Sequence, residues 1–232
     1  MLKMNIFKDL KVVSGLLAIA LLGGCAATGA GADAHTFFRS AQLDDTRTMG
    51  RLLAGGIDPN LAEPVRGDSG MILALREDAN KVFMLLLAQP GSHLEATSGN
   101  GDTALMLASY KHNMAAVVAL LARGAQVNRP NWSALHYAAA SGDEPILRVL
   151  LEHGAAIDAR SPGKVTPLMM AAREGHPGAV RRLLKAGADA GLKSSDGMSA
   201  LQFAQNADQN LIADVIVAHL KAKGANLRQH QP

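Results

Sequence analysis

The sequence predicts an all-α body built as a stack of about six helix-loop-helix units. Three observations carry this. Hydrophobic residues make up 48% of the 232 residues while aromatics reach only 3%, a Leu-Leu or Ile-Val pair recurs at near-constant spacing, and a glycine-containing turn follows most of these pairs. A core of Leu, Ala, Val and Met, with so few aromatic and β-branched residues, suits closely packed helices better than sheets. The pairs fall at Leu52-Leu53, Leu86-Leu87, Leu120-Leu121, Leu150-Leu151, Leu183-Leu184 and Ile216-Val217, which are 34, 34, 30, 33 and 33 residues apart. Self-similarity at that period belongs to solenoids, whose units bury their apolar faces only against their neighbours. At about 1.5 to 3 kcal/mol per fully buried Leu, one unit does not offset its own ordering entropy. A single repeat should not fold alone.

The first segment stands apart from this pattern. Met1 to Lys11 carries Lys3, Lys8 and Lys11 and leads into the apolar run Val12 to Leu22, so residues 1–24 are expected to be an export signal. The run falls short of the roughly 20 apolar residues that a membrane-spanning helix needs. Leu22-Gly23-Gly24-Cys25 resembles a bacterial lipobox, in which the cysteine thiol is acylated, and this makes Cys25 the expected lipidation site. Cys25 is the only cysteine in the chain, so an intramolecular disulfide is not available to it. Residues 25–35, rich in glycine and alanine, are expected to be a flexible tether. A competing reading cleaves after Ala32-Asp33-Ala34 and starts the mature chain at His35. Both place the protein in the periplasm, the first anchored to the outer membrane as a lipoprotein and the second soluble. Ala26, in place of Asp after the cysteine, resembles lipoproteins sent to the outer membrane.

The formal net charge of +3 includes three lysines and Asp9 from the signal, so the rest of the chain is near +1. With no Lys/Arg stripe interleaved with aromatics, nucleic-acid binding is not expected.

The repeating body is expected over residues 36–222, followed by a C-terminal tail over 223–232. The turns after the apolar pairs are Gly55-Gly56, Gly124-Ala125, Gly154-Ala155 and Gly187-Ala188, and glycine there permits the left-handed backbone that ends a helix. Upstream of each pair sits the other half of the unit. It is clearest in Thr166-Pro167-Leu168-Met169-Met170-Ala171-Ala172-Arg173-Glu174-Gly175-His176, with relatives at Thr103-Ala104-Leu105, Ser133-Ala134-Leu135-His136 and Ser199-Ala200-Leu201. Thr or Ser caps the first helix, Pro fits its first turn, and the Ala-Ala pair lets neighbouring helices approach closely. These motifs resemble the consensus of the ankyrin-repeat family from Thr36 to Leu220, and the resemblance implies a solenoid with short β-fingers between repeats. The end units depart from it, with Phe37-Phe38 and Asp44 in the first and Asn206 and Asp208 in the last. In the second unit Gly70-Met71-Ile72 replaces Pro-Leu-His and Pro90-Gly91 lengthens the turn. The fourth is shortened at Arg129-Pro130-Asn131-Trp132.

Chemistry-bearing constellations are sparse. The histidines, at 35, 93, 112, 136, 153, 176, 219 and 230, include no i, i+4 pair and have no cysteine pair beside them, so neither a metal nor a cofactor is expected. His136 is expected to make structural hydrogen bonds within its cap. Ser133 and His136 belong to that one cap, no G-x-S-x-G elbow occurs, and a catalytic role is not expected.

The family resemblance implies a protein-protein interaction module that works as a monomer and holds a protein partner on its concave face and finger tips. The matching inner-helix positions are Arg76, Glu77, Tyr110, Lys111, Arg173 and Glu174. The matching finger positions are Asp68, Asp102, Trp132, Val165 and Met198. An exposed Trp or Tyr near Arg is the composition of a binding hot spot; the competing reading packs Trp132 onto the neighbouring finger. The alternatives to a binding module are an inhibitor or immunity-type protein that blocks an envelope enzyme and, more remotely, an enzyme.

Overall fold

The computed structural model describes residues 29–229. The expected signal and Cys25 lie outside the described residues. Among the described residues, twelve helices form six consecutive pairs. The first members are α1 (Gly29–Gln42), α3 (Gly70–Arg76), α5 (Ala104–Tyr110), α7 (Ala134–Ser141), α9 (Pro167–Glu174) and α11 (Ala200–Asn206), and each touches the next as an inner layer. The second members are α2 (Thr46–Ala54), α4 (Asn80–Leu87), α6 (Met114–Ala122), α8 (Glu144–Glu152), α10 (Pro177–Lys185) and α12 (Asn210–Gln229), and these form the outer layer in the same order. The fingers fold as hairpin turns. Isolated antiparallel bridges join Ala62 to Ser69, Thr97 to Thr103 and Lys193 to Ser199.

The inner helices α3 to α11 are only seven or eight residues long. Such short helices are unstable alone, and capping and burial hold them. Ser69, Thr103, Thr166 and Ser199 each accept a hydrogen bond from the backbone N–H three residues on. The side chain at that third position reciprocates in four repeats: Met106 Sδ and Met169 Sδ each accept from the cap N–H at 3.4 Å, His136 Nδ1 at 3.2 Å and Gln202 Oε1 at 2.9 Å. Alanines at 74, 108, 138, 139, 171, 172 and 204 are completely buried, so the small side chains set the close helix approach that the motif implied. The leading members of the apolar pairs, Leu86, Leu120, Leu150, Leu183 and Ile216, are completely buried as well. In the first repeat Leu52 is only half-buried and Met49 takes the core position instead.

One departure from the repeat consensus has a physical reason in the packing. Gly70 replaces the usual proline because a Cβ there would lie 2.7 Å from the Phe37 ring; the first repeat's aromatic fills the space. At the bend inside each repeat one residue takes a left-handed backbone: Asp44, Asp78, His112, Gly142, Gly175 and Asp208, with φ between 54° and 82°. Only two of these are glycine.

The expected boundaries change at both ends. Helix α1 starts at Gly29, so residues 29–35 are helical rather than a flexible tether; Ala30, Ala32 and Ala34 favour helix, and Phe37 and Ala41, both buried, dock the helix on its neighbour. Helix α12 runs to Gln229, so most of the expected tail is also helical, there being no proline in the run to stop it.

Candidate binding surface

The six inner-helix residues come together as a row along the C-terminal ends of α3, α5 and α9. Arg76, Tyr110 and the Arg173-Glu174 pair end these helices, while Glu77 and Lys111 are their C-caps. Glu77 and Glu174 are exposed, and Arg76, Tyr110, Lys111 and Arg173 are half-buried. Lys111 crosses to the preceding repeat, where its Nζ donates to the Arg76 carbonyl and to Asp78 Oδ2, both at 2.8 Å. A cation at that helix end also suits the dipole of α3. Arg173 Nε donates to Glu174 Oε1 at 2.8 Å.

The finger positions need correction. Asp68, Asp102 and Val165, expected as exposed contacts, are buried, and Trp132 and Met198 are half-buried. All five immediately precede the cap of an inner helix. Hairpin hydrogen bonds such as Glu63 N to Asp68 O and Ser98 N to Asp102 O, both 2.9 Å, turn that position inward over the adjacent repeat. The Trp132 ring meets His136 edge-on at 5.3 Å, so it packs on its own helix start.

The exposed tips lie two or three residues earlier, at Val65 and Arg66, at Gly99 and Asn100, and at Ser195 and Asp196. Two of them carried a legible turn signal in Asn100-Gly101 and Asp196-Gly197, with Gly101 and Gly197 at φ of 84° and 74°. Neighbouring tips are tied by Gly99 N to Arg66 O at 2.7 Å and Ser195 N to Gly163 O at 2.9 Å.

Asp68, Arg76 and Asp102, separate in sequence, form one buried ionic network. Arg76 Nε donates to Asp68 Oδ2 at 2.7 Å, Arg76 Nη2 lies 3.6 Å from Asp102 Oδ2, and the Tyr137 hydroxyl donates to Asp102 Oδ1. Tyr110 leans edge-on against Tyr137 with ring centres 6.3 Å apart. Burial raises the Asp68 carboxyl above its ordinary value although Arg76 pulls it down. Burial and the Asp102 carboxylate push the Tyr137 hydroxyl far up, so it stays a donor. Tyr137 was not among the expected site residues; the signal that could have found it is its place one repeat beyond Asp102, 35 residues on.

His136 is tied on both sides. Nδ1 accepts from the Ser133 N–H, so Nε2 carries the proton and donates to the Val165 carbonyl at 3.0 Å. Burial pushes this imidazole down to about 4, which keeps it neutral and structural. What the surface offers chemically is two exposed carboxylates, Glu77 and Glu174, over a layer of hydrogen-bonded polar side chains.

Six stacked helix pairs with inward caps and bridged fingers define a repeat-built solenoid. The family model described as ankyrin repeats (3 copies) matches residues 37–131, 70–161 and 135–229, and the chain belongs to the ankyrin-repeat family. It is 28% identical over 171 residues to the human SH3 and multiple ankyrin repeat domains protein 2, covering 72% of this chain and 9% of that protein. Over 92 residues it is 39% identical to the Drosophila melanogaster palmitoyltransferase Hip14, covering 38% of this chain and 14% of that one. The chain thus spans a small fraction of either relative. A solved ankyrin repeat domain from Acinetobacter baumannii superposes with a TM-score of 0.67 at 22% identity, over 79% of this chain and 96% of that one, and shares its fold.

Proposed function

We propose that this chain is a non-catalytic protein-binding module of the bacterial cell envelope, which holds one protein partner across the C-terminal ends of its inner helices. The observation that carries this is the row from Glu77 through Lys111 to Glu174, set on helices whose polar groups are already satisfied internally. A surface fixed in this way loses little freedom on binding, so a modest set of contacts gives useful affinity. The envelope location is supported by the basic start, the apolar run Val12 to Leu22 and the lipobox-like Leu22-Gly23-Gly24-Cys25. In this reading Cys25 carries the acyl chains that hold the protein at the outer membrane.

Capture from envelope extracts tests it, with wild type beside Glu77→Arg/Glu174→Arg and, as an outer-layer control, Lys81→Ala. A protein retained by wild type and the control but lost from the double variant supports the reading. A protein retained equally by all three shows that the inner row is not the binding site. Mass spectrometry of the mature N-terminus tests the anchor: an acylated Cys25 supports it, and an unmodified start at His35 overturns it.

A further inference from the structure

The outer layer of the array carries an excess of cations, and the exposed Asp214 of α12 is the one carboxylate of its helices outside α8. The outer helices α2, α4, α6 and α10 contain no aspartate or glutamate. Helix α8 has two glutamates and both are paired, Glu152 with Arg148 at 3.0 Å and Glu144 with Arg182 at 3.6 Å. Exposed cations stand on both flanks of this layer, Arg47 and Arg51 on α2 and Arg181 and Lys185 on α10. Between the flanks lies α6, whose nine residues are all apolar. Val118 on α6 is 49% exposed and Met84 on the adjacent α4 is 46% exposed, with Ala115 and Ala122 open to solvent beside them. An outer helix facing only water carries a polar stripe there, and α6 has none.

An apolar centre between basic flanks complements a surface that is anionic at its face and apolar beneath. A second copy of the same layer would oppose like charges. Protein epitopes centre on aromatic anchors, and the one aromatic residue of the outer helices, Phe83, is completely buried. We infer that the outer layer rests on an anionic lipid bilayer, with Met84 and Val118 at the boundary of headgroups and acyl chains and the flanking cations on phosphate groups. Apolar burial and attraction to anionic headgroups act together in this mode of attachment. At nine residues, α6 is far too short to cross a bilayer and lies along its surface. This surface is separate from the inner row and leaves that row facing away from the membrane.

The test places an environment-sensitive fluorophore on the full chain carrying Cys25→Ser, either at Ala115→Cys on the outer layer or at Glu77→Cys on the inner row. Each is titrated with phosphatidylcholine vesicles, with or without phosphatidylglycerol. The expected result is a blue shift at position 115 only with phosphatidylglycerol present, reversed by salt, and no shift at position 77. Adding Arg181→Glu and Lys185→Glu to the outer-layer probe should raise the vesicle concentration needed by about tenfold or more, whereas Arg181→Lys should not; an unchanged denaturation midpoint shows that each variant is folded. Absence of a shift at 115, an equal shift with neutral vesicles, or equal shifts at 115 and 77 would overturn the inference. So would a response to polyglutamate but not to vesicles, which would assign the layer to an acidic protein. Every variant keeps the same N-terminal segment, so its own insertion does not create the differences between variants.

Discussion

A buried imidazole that cannot easily take a proton makes this fold sensitive to acid. His136 is completely buried, and its folded value of about 4 lies below the ordinary 6.5. Between those values the unfolded chain binds more protons than the folded one, so stability rises with pH there. The contribution is complete above 6.5 and is lost as pH falls toward 4, a total of roughly 3 kcal/mol. Asp68 acts in the opposite sense, since its raised value favours the fold at low pH. His136→Gln isolates the first effect, because Gln202 already makes the equivalent cap bond in the last repeat. The variant should lose about 1 to 2 kcal/mol at neutral pH with the bond to Val165, and urea midpoints should fall less steeply between pH 6.5 and 4 than in wild type. Gly70→Ala probes a different constraint. Its methyl would meet the buried Phe37 ring at 2.7 Å and Leu86 Cδ1 at 3.1 Å, and overpacking of this kind costs about 1 to 3 kcal/mol. A midpoint unchanged from wild type would mean that the ring moves aside freely.

Within a repeat, the bend between its two helices shows how far local sequence reaches. The left-handed residue at Asp208 is exposed, and a residue other than glycine is strained in that conformation. Asp208→Gly should therefore gain up to about 1 kcal/mol, while the β-branched Asp208→Val should lose about 1 to 2 kcal/mol; chemical denaturation reads both. Asp44 has the same backbone and the opposite expectation. Its Oδ1 accepts from Val82 N at 2.8 Å, at the start of α4, where the cap residue Ala79 supplies no side-chain bond. That partner is 38 residues away, so the sequence displayed only a missing glycine at Asp44 and not the capping of the next repeat. The fingers repeat the lesson. Apolar period and caps placed every helix pair, because both are local, but whether Asp68, Asp102 or Val165 faces water is decided by the adjoining repeat. The helical start at 29–35 is hidden by its glycines, because alanine content and the docking of Phe37 decide it, and the helix over 223–229 is the continuation of α12 that no proline stops.

Over the whole array, stability is carried by interfaces between neighbours rather than by one central core. Leu150 and Ile216 are both completely buried, yet α8 is flanked by α6 and α10 whereas α12 has an outer-layer neighbour only in α10. Leu150→Ala should cost about 2 to 5 kcal/mol, and Ile216→Ala less, because the last repeat can open alone. Equal losses in chemical denaturation would instead describe a single cooperative block. The chain of contacts from Asp68 through Arg76 and Asp102 to Tyr137 joins three successive repeats, and parting any of them leaves a desolvated charge without its partner. Held by its two ends in an optical trap, the array should peel from the termini inward and yield over this tied stretch in one long extension. Tyr137→Phe with Asp102→Asn should divide that extension into shorter ones, so these four side chains work as a rivet that sets the order in which the molecule comes apart under tension.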